Sequence, residues 1–181
     1  MTSLFNSPNS DRSHSDNLEN WNAIAPHFTS GNVMNDNERM TLEILKTILG
    51  SDRYQFCPQL PLSVVCDRTD PGWLPNEIWK FWVSSRLDFT LLEWGFCASS
   101  KAKLVVECQS PFHDLPDVME RDRKKAELLA VVGVPLIYTR SVDEDRRFIR
   151  FFTPHGDTEI FYNSINRDGR QQLEDWLGGY L

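Results

Sequence analysis

The sequence predicts an α/β domain whose central mixed sheet is flanked by helices. Three observations carry that expectation: an apolar stripe of helical period ahead of the first strand, two branched-and-aromatic segments joined by a polar stretch, and a second helical segment running into a short apolar strand. The chain has 181 residues, within the roughly 100–200 residues usual for one domain.

Residues 1–35 read as a flexible polar arm, because 17 of the first 37 positions are Ser, Asn or Asp. Such a composition buries too little apolar area to offset chain entropy. Trp21, Ile24 and Phe28 are the residues of the arm able to dock as a short element. Regular structure is expected from Asn35 onward. Leu42, Leu45 and Leu49 recur at helical spacing, Ile44 and Ile48 widen the stripe, and Gly50 stops it, so a helix is predicted over about 36–49. Residues 54–60 read as an edge strand interrupted by Pro58 and Pro61. A helical insert over 75–84 carries Ile78, Phe81 and Trp82. Residues 86–93 and 103–109 read as two strands of a hairpin joined by the stretch 95–102.

A helix over about 116–132 has Val118, Leu128, Leu129 and Val132 as its apolar positions, and Gly133 ends it. Residues 134–139 form a short, nearly continuous apolar run, as a buried strand does. Residues 148–153 and 158–162 flank a turn and read as a hairpin, and 171–177 as a closing helix. The organisation is thus an arm over 1–35, a core over 36–140, and a hairpin-and-helix extension of the same domain over 141–181.

The net charge is −7, which disfavours strong nonspecific attraction to nucleic acid. Residues 71–150 hold equal numbers of basic and acidic side chains, so the whole surplus lies outside that span. Weak DNA contact, or contact with a partner's help, therefore stays open. No run approaches the roughly 20 apolar residues of a spanning helix. The N-terminus has neither the basic start nor the apolar run of a secretory signal, and a cytoplasmic location without membrane contact follows. Cys57, Cys66, Cys97 and Cys108 show no metal-site spacing and read as reduced, mostly buried side chains.

Strand alternation puts Leu87, Phe89 and Leu91 on one face and Asp88 and Thr90 on the other, while Val105, Glu107 and Gln109 share a face of the next strand. If the strands pair, Asp88 and Glu107 converge, because opposite residues have Cβ atoms about 4.5–5.5 Å apart. Two carboxylates that close repel unless a cation sits between them. A hard divalent ion such as Mg²⁺ satisfies that geometry, with the Cys108 backbone carbonyl as a further ligand. The bland reading makes Asp88 a turn residue and Glu107 a solvated strand residue.

Glu38 lies on the apolar side of its helix and points inward, yet Asn35 and Glu38 are also spaced as a capping box. His113, at the mouth between strand and helix, is a candidate general acid or base; a lone loop His is also an ordinary surface residue. Arg121, Lys124 and Lys125 belong to a basic cluster that reads either as a solvated helix face or as phosphate contacts, with Arg121 and Lys125 on one side.

A helix bearing Glu38, then Leu87-Asp88-Phe89, then Leu104-Val105-Val106-Glu107-Cys108-Gln109 with His113, then Arg121-Asp122-Arg123-Lys124-Lys125 and Gly133-Val134-Pro135-Leu136 resembles the PD-(D/E)XK nuclease superfamily. More narrowly, it resembles the bacterial family called domain of unknown function 2726. The resemblance spans about 36–139 and implies a restriction-endonuclease-like αβββαβ core. It further implies that Asp88 and Glu107 hold Mg²⁺ or Mn²⁺, that Glu38 supports them, and that water attacks a DNA phosphodiester in line. The superfamily usually has Lys where Gln109 stands; Gln orients a water but brings no positive charge. The narrower family tends to have an acidic residue there with a His four residues on, and His113 keeps the second feature. Two functions follow: a metal-dependent endonuclease, or a catalytically inactive nuclease-fold module for protein or nucleic-acid interaction, with the arm contacting a protein partner.

Overall fold

Asn35 sets the start of the first helix. Its side chain accepts a hydrogen bond from the Glu38 N–H at 3.0 Å, and the Glu38 carboxylate accepts one from the Asn35 N–H at 2.7 Å, completing a capping box. The computed structural model describes residues 31–69, 72–93, 101–156 and 158–181, of which 33–181 form one unit. The arm's Trp21, Ile24 and Phe28 lie outside the described residues, as does Cys97. Helix α1 (Asp36–Leu49) buries Leu42, Ile44, Leu45 and Ile48, and ends at Gly50, whose φ of 79° suits a residue without a Cβ.

Strand β1 (Tyr54–Pro61) runs along one edge of a six-stranded sheet, where the N–H groups its prolines lack are not needed by a second neighbour. A single turn, α2 (Leu62–Val65), follows it. One turn is too short to leave a periodicity that a sequence could show. Helix α3 (Asn76–Ser84) forms as expected, but it buries no residue: Ile78 and Trp79 are exposed, and Phe81 and Trp82 are partly covered.

Strands β2 (Arg86–Glu93) and β3 (Ala102–Gln109) pair antiparallel, and the connection expected between them falls mostly outside the described residues. A 3₁₀ turn (Pro111–Asp114) and helix α4 (Pro116–Val131) then cross over to β4 (Leu136–Ser141), which lies parallel to β3. A parallel neighbour needs such a crossover. Strands β5 (Phe148–Phe152) and β6 (Glu159–Asn163) extend the sheet as an antiparallel hairpin, and α5 (Arg170–Gly178) closes the chain. The sheet is open and mostly antiparallel, its spatial order following the sequence from β1 to β6.

Alternation along the strands supplies two cores. Phe89, Leu91, Leu104, Val106, Ile137 and Phe151 pack with α1 and α5 side chains such as Leu45 and Leu173. Leu62, Val105, Leu129, Leu136 and Tyr138 form the second cluster. Each fully buried Leu or Phe contributes about 1.5–3 kcal/mol relative to exposure. Leu87 departs from expectation by joining the second cluster and not that of Phe89 and Leu91. The cause is local: the β2–β3 ladder ends at Phe89↔Val106, so beyond Phe89 only β1 holds the strand. Among the described residues no helix is long and apolar enough to cross a membrane.

Candidate functional site

The end of that ladder creates the site. Asp88 falls just past the last β2–β3 pair, and its Oδ2 accepts a hydrogen bond from the Cys108 N–H at 2.8 Å. On its other flank the β1–β2 register passes from Pro58↔Phe89 to Leu60↔Leu87, leaving Gln59 and Asp88 outside the ladder. Gln59 has φ 55°, the left-handed region, which costs a residue with a Cβ on the order of 1 kcal/mol or more. Its side chain accounts for the strain being tolerated. Gln59 Nε2 donates to Glu38 Oε1 at 3.2 Å and to Asp88 Oδ1 at 3.4 Å, so it links the two carboxylates. Glu38 is therefore both a helix cap and a neighbour of Asp88.

Glu107, in the middle of the sheet, is 2% exposed. Its Oε2 accepts from the buried Lys125 ammonium at 2.6 Å, and its Oε1 is buried with no hydrogen-bond partner among the described residues. Burial pushes the Glu107 carboxyl well up, Lys125 opposes the shift, and the Asp88 charge adds to it. Asp88 is also raised, by burial, against the Cys108 N–H, Lys125 and His113. Glu38 is raised by burial and, further, by Asp88. Glu38 and Glu107 thus each feel the charge of Asp88, with the buried Lys125 against Glu107.

Gln109 ends β3, and His113 follows in the 3₁₀ turn. Both line a cleft of about 840 Å³ together with Met119, Asp122 and Tyr138, while Asp88 and Glu107 do not border it. His113 Nδ1 lies 2.7 Å from Asp122 Oδ2, and the pair holds the His113 ring above its ordinary pKa. Helix α4 places Val118, Asp122, Lys125 and Leu129 along its inward stripe, with the last three buried. The basic cluster is therefore divided. Arg121 is exposed, Lys124 is exposed and bridges Glu120 at 3.4 Å, and Lys125 points inward to Glu107, so Arg121 and Lys125 do not share a side. Val132, expected among the apolar contacts, is 40% exposed because the helix has ended.

Two residues of this constellation escaped the sequence reading. Gln59 gave no signal, since a Gln beside two prolines in an edge strand is ordinary. Asp122 did give one: it stands four residues after Val118 and seven before Leu129, on the apolar stripe.

The donor set suits a hard cation. Among the described residues no group of three His, Cys, Asp or Glu side chains closes around one point. What the site has is a buried Glu107 oxygen without a hydrogen-bond partner among the described residues, on a carboxyl that feels the Asp88 charge, and the Cys108 N–H bound to Asp88. Mg²⁺ is characteristically held by one or two carboxylates with several waters. The Cys108 thiol is pushed up to about 12 by burial and accepts from Thr139 Oγ1 at 3.4 Å, so it offers no thiolate to a softer metal. Cys57, Cys66 and Cys108 are free thiols, Cys57 half-buried and the other two buried.

Comparison with curated proteins and with solved structures finds no match. A family match does exist, and it covers α1 through β4 with every residue of the site: over residues 30–150 the chain belongs to the family described as "Protein of unknown function (DUF2726)".

Proposed function

We propose that the chain is a metal-dependent nuclease of the PD-(D/E)XK kind, hydrolysing DNA phosphodiester bonds at Asp88 and Glu107. The observation that carries this reading is the buried Oε1 of Glu107, without a hydrogen-bond partner among the described residues, on a carboxyl that feels the charge of Asp88 at the open end of the β2–β3 ladder. The helix, strand, insert, two strands, helix, strand order from α1 to β4 supports a restriction-endonuclease-like αβββαβ core. Asp88, Glu107 and the Cys108 carbonyl would hold Mg²⁺ or Mn²⁺. When bound, the ion would lower the pKa of a water and offset charge on the phosphate.

The protein's own residues have separate tasks. Gln59 and the Cys108 N–H hold the Asp88 carboxylate in place from two sides. Glu38, fixed by Asn35 and Gln59, stands behind Asp88 and strengthens the pull on a cation. Lys125 brings the positive charge that Gln109 lacks, and Gln109 orients a water through its amide. Arg121 and Lys124 sit outward on α4, where phosphate contact is available. DNA association by this chain is weak because its charge is balanced around the site.

A second reading has one observation in its favour. The Lys125 ammonium already neutralises Glu107, which suits a nuclease fold kept as an interaction module. The deciding measurement is cleavage of plasmid and single-stranded DNA with Mg²⁺ or Mn²⁺ by the wild type, Asp88→Ala and Glu107→Ala. Metal-dependent cutting lost in both variants supports the enzyme; cutting that survives both removes this site, and no cutting by the wild type favours the module.

A further inference from the structure

We propose that Asp122 is a positioning residue for His113, presenting the ring's Nε2–H to the cleft as proton donor to the leaving oxygen of a cleaved phosphodiester. The inference rests on the nuclease reading above and assigns Asp122 a role within it. Asp122 is 8% exposed and occupies an inward position of α4. A carboxylate there is costly unless paired. Its partner is His113, through the 2.7 Å contact of Nδ1 with Oδ2. With Nδ1 given to the carboxylate, Nε2 is the ring nitrogen available to the cleft, which both residues line together with Gln109. The cleft adjoins the carboxylates without being bordered by them: Gln109 follows Glu107 by two on β3, and the charges of Asp88 and Glu107 both act on the ring.

The supports of the pair are themselves fastened. The His113 N–H donates to the Ser110 carbonyl at 2.9 Å, and the neighbouring Asp114 is gripped by both terminal nitrogens of Arg140, at 2.8 and 2.6 Å. The Tyr138 hydroxyl donates to the Asp122 backbone carbonyl at 3.4 Å. The groups around the ring favour its charged form: Asp122 of α4, Asp114 of its own turn, Asp88 of β2 and Glu107 of β3. The nearby cations, Lys125 and Arg140, are each paired with a carboxylate.

In the step, the attacking water's oxygen bonds to phosphorus as the bond from phosphorus to the leaving oxygen breaks. The Nε2 proton passes to that oxygen, which departs as a hydroxyl. The attacking water's proton goes to solvent, and His113, neutral after transfer, regains a proton from solvent. The Nδ1–Asp122 contact is kept throughout, so the ring does not turn between the two states.

The test combines a binding-independent and a kinetic readout on the full chain. Nitrogen NMR of the metal-free protein follows the His113 ring in wild type, Asp122→Asn and Asp122→Glu, and the pH profile of kcat/KM is recorded on a short DNA duplex with Mn²⁺. In the wild type the neutral ring should carry its proton on Nδ1. Asp122→Asn should lower the His113 pKa and move the alkaline limb of the rate by the same amount, with Asp122→Glu restoring part of both. His113→Gln, whose amide N–H keeps a donor for Asp122, should cost about 10²-fold in rate and abolish that limb. A cleaving wild type whose limb stays in place in Asp122→Asn, or a His113→Gln variant with wild-type rate and profile, overturns the proposal while the nuclease stands. Should Asp122→Asn not fold, His113→Gln decides. A wild type that does not cleave, with a ring titration that still responds to Asp122, overturns the nuclease reading and the proton-donor role with it.

Discussion

The Lys125 ammonium lies 2.6 Å from Glu107 Oε2, and both residues are buried, the lysine at 8% exposure and the glutamate at 2%. The pair joins α4 to the middle of β3 and occupies a place where apolar residues would normally pack. Removing one member leaves the other charge buried alone, which costs about 3–5 kcal/mol in comparable pairs. Lys125→Met should therefore lower the unfolding free energy measured in urea by that much, and adding Glu107→Gln to it should recover a large part. Loss of stability in the double variant equal to or beyond that of Lys125→Met would show that the lysine stem, and not the ion pair, supplies the stabilisation.

Gln59 combines a left-handed backbone with two hydrogen bonds to carboxylates. The two effects are separable. Gln59→Ala keeps the strain and loses the bonds, whereas Gln59→Gly loses the bonds and relieves the strain. Glycine should be the more stable of the two by about 1 kcal/mol, reversing the usual preference inside a strand. Denaturant unfolding of both variants checks this, and an alanine variant at least as stable as the glycine one would mean the backbone relaxes once the side chain is gone.

Divalent ions should raise the melting temperature, since a ligand bound only by the folded state stabilises it by mass action. Mg²⁺ or Mn²⁺ at several times the dissociation constant should increase Tm of the wild type, and Asp88→Asn and Glu107→Gln should remove the increase. A variant lacking both carboxylates that still responds to the ion would place the binding elsewhere.

The parts of this molecule legible in its sequence are those whose cause is local. Asn35 and Glu38 stand three residues apart, so the capping box was readable, and so was the inward turn of Glu38. The strands show their alternation, and a helix between β3 and β4 signals the parallel pair. Gln59 was not legible because its partners are 21 and 29 residues away, and the irregular strand geometry that brings them together leaves no composition signal. Asp122 and Lys125 are obscured for a different reason. Their spacing put them on the buried stripe, but as charged residues in a basic run they looked solvated, and only Glu107 and His113 explain why they turn inward. Leu87 shows the limit of strict alternation, which fails where a ladder ends.

The His113–Asp122 pair should also appear in the pH dependence of stability. Its folded-state pKa is raised, first by the Asp122 hydrogen bond and against burial, from an ordinary 6.5. A raised base binds its proton more tightly folded than unfolded, so its contribution is complete below 6.5 and is lost as pH rises through the folded value. Wild type should therefore weaken relative to His113→Gln as pH is taken from below 6.5 to well above it. Asp122→Asn should remove most of that difference, since the hydrogen bond is the largest cause. The comparison needs only urea midpoints at several pH values, and it reads the pair without any nucleic acid or metal. Parallel stability profiles for wild type and His113→Gln over that range would mean that the ring holds its proton no more tightly in the folded chain than in the unfolded one.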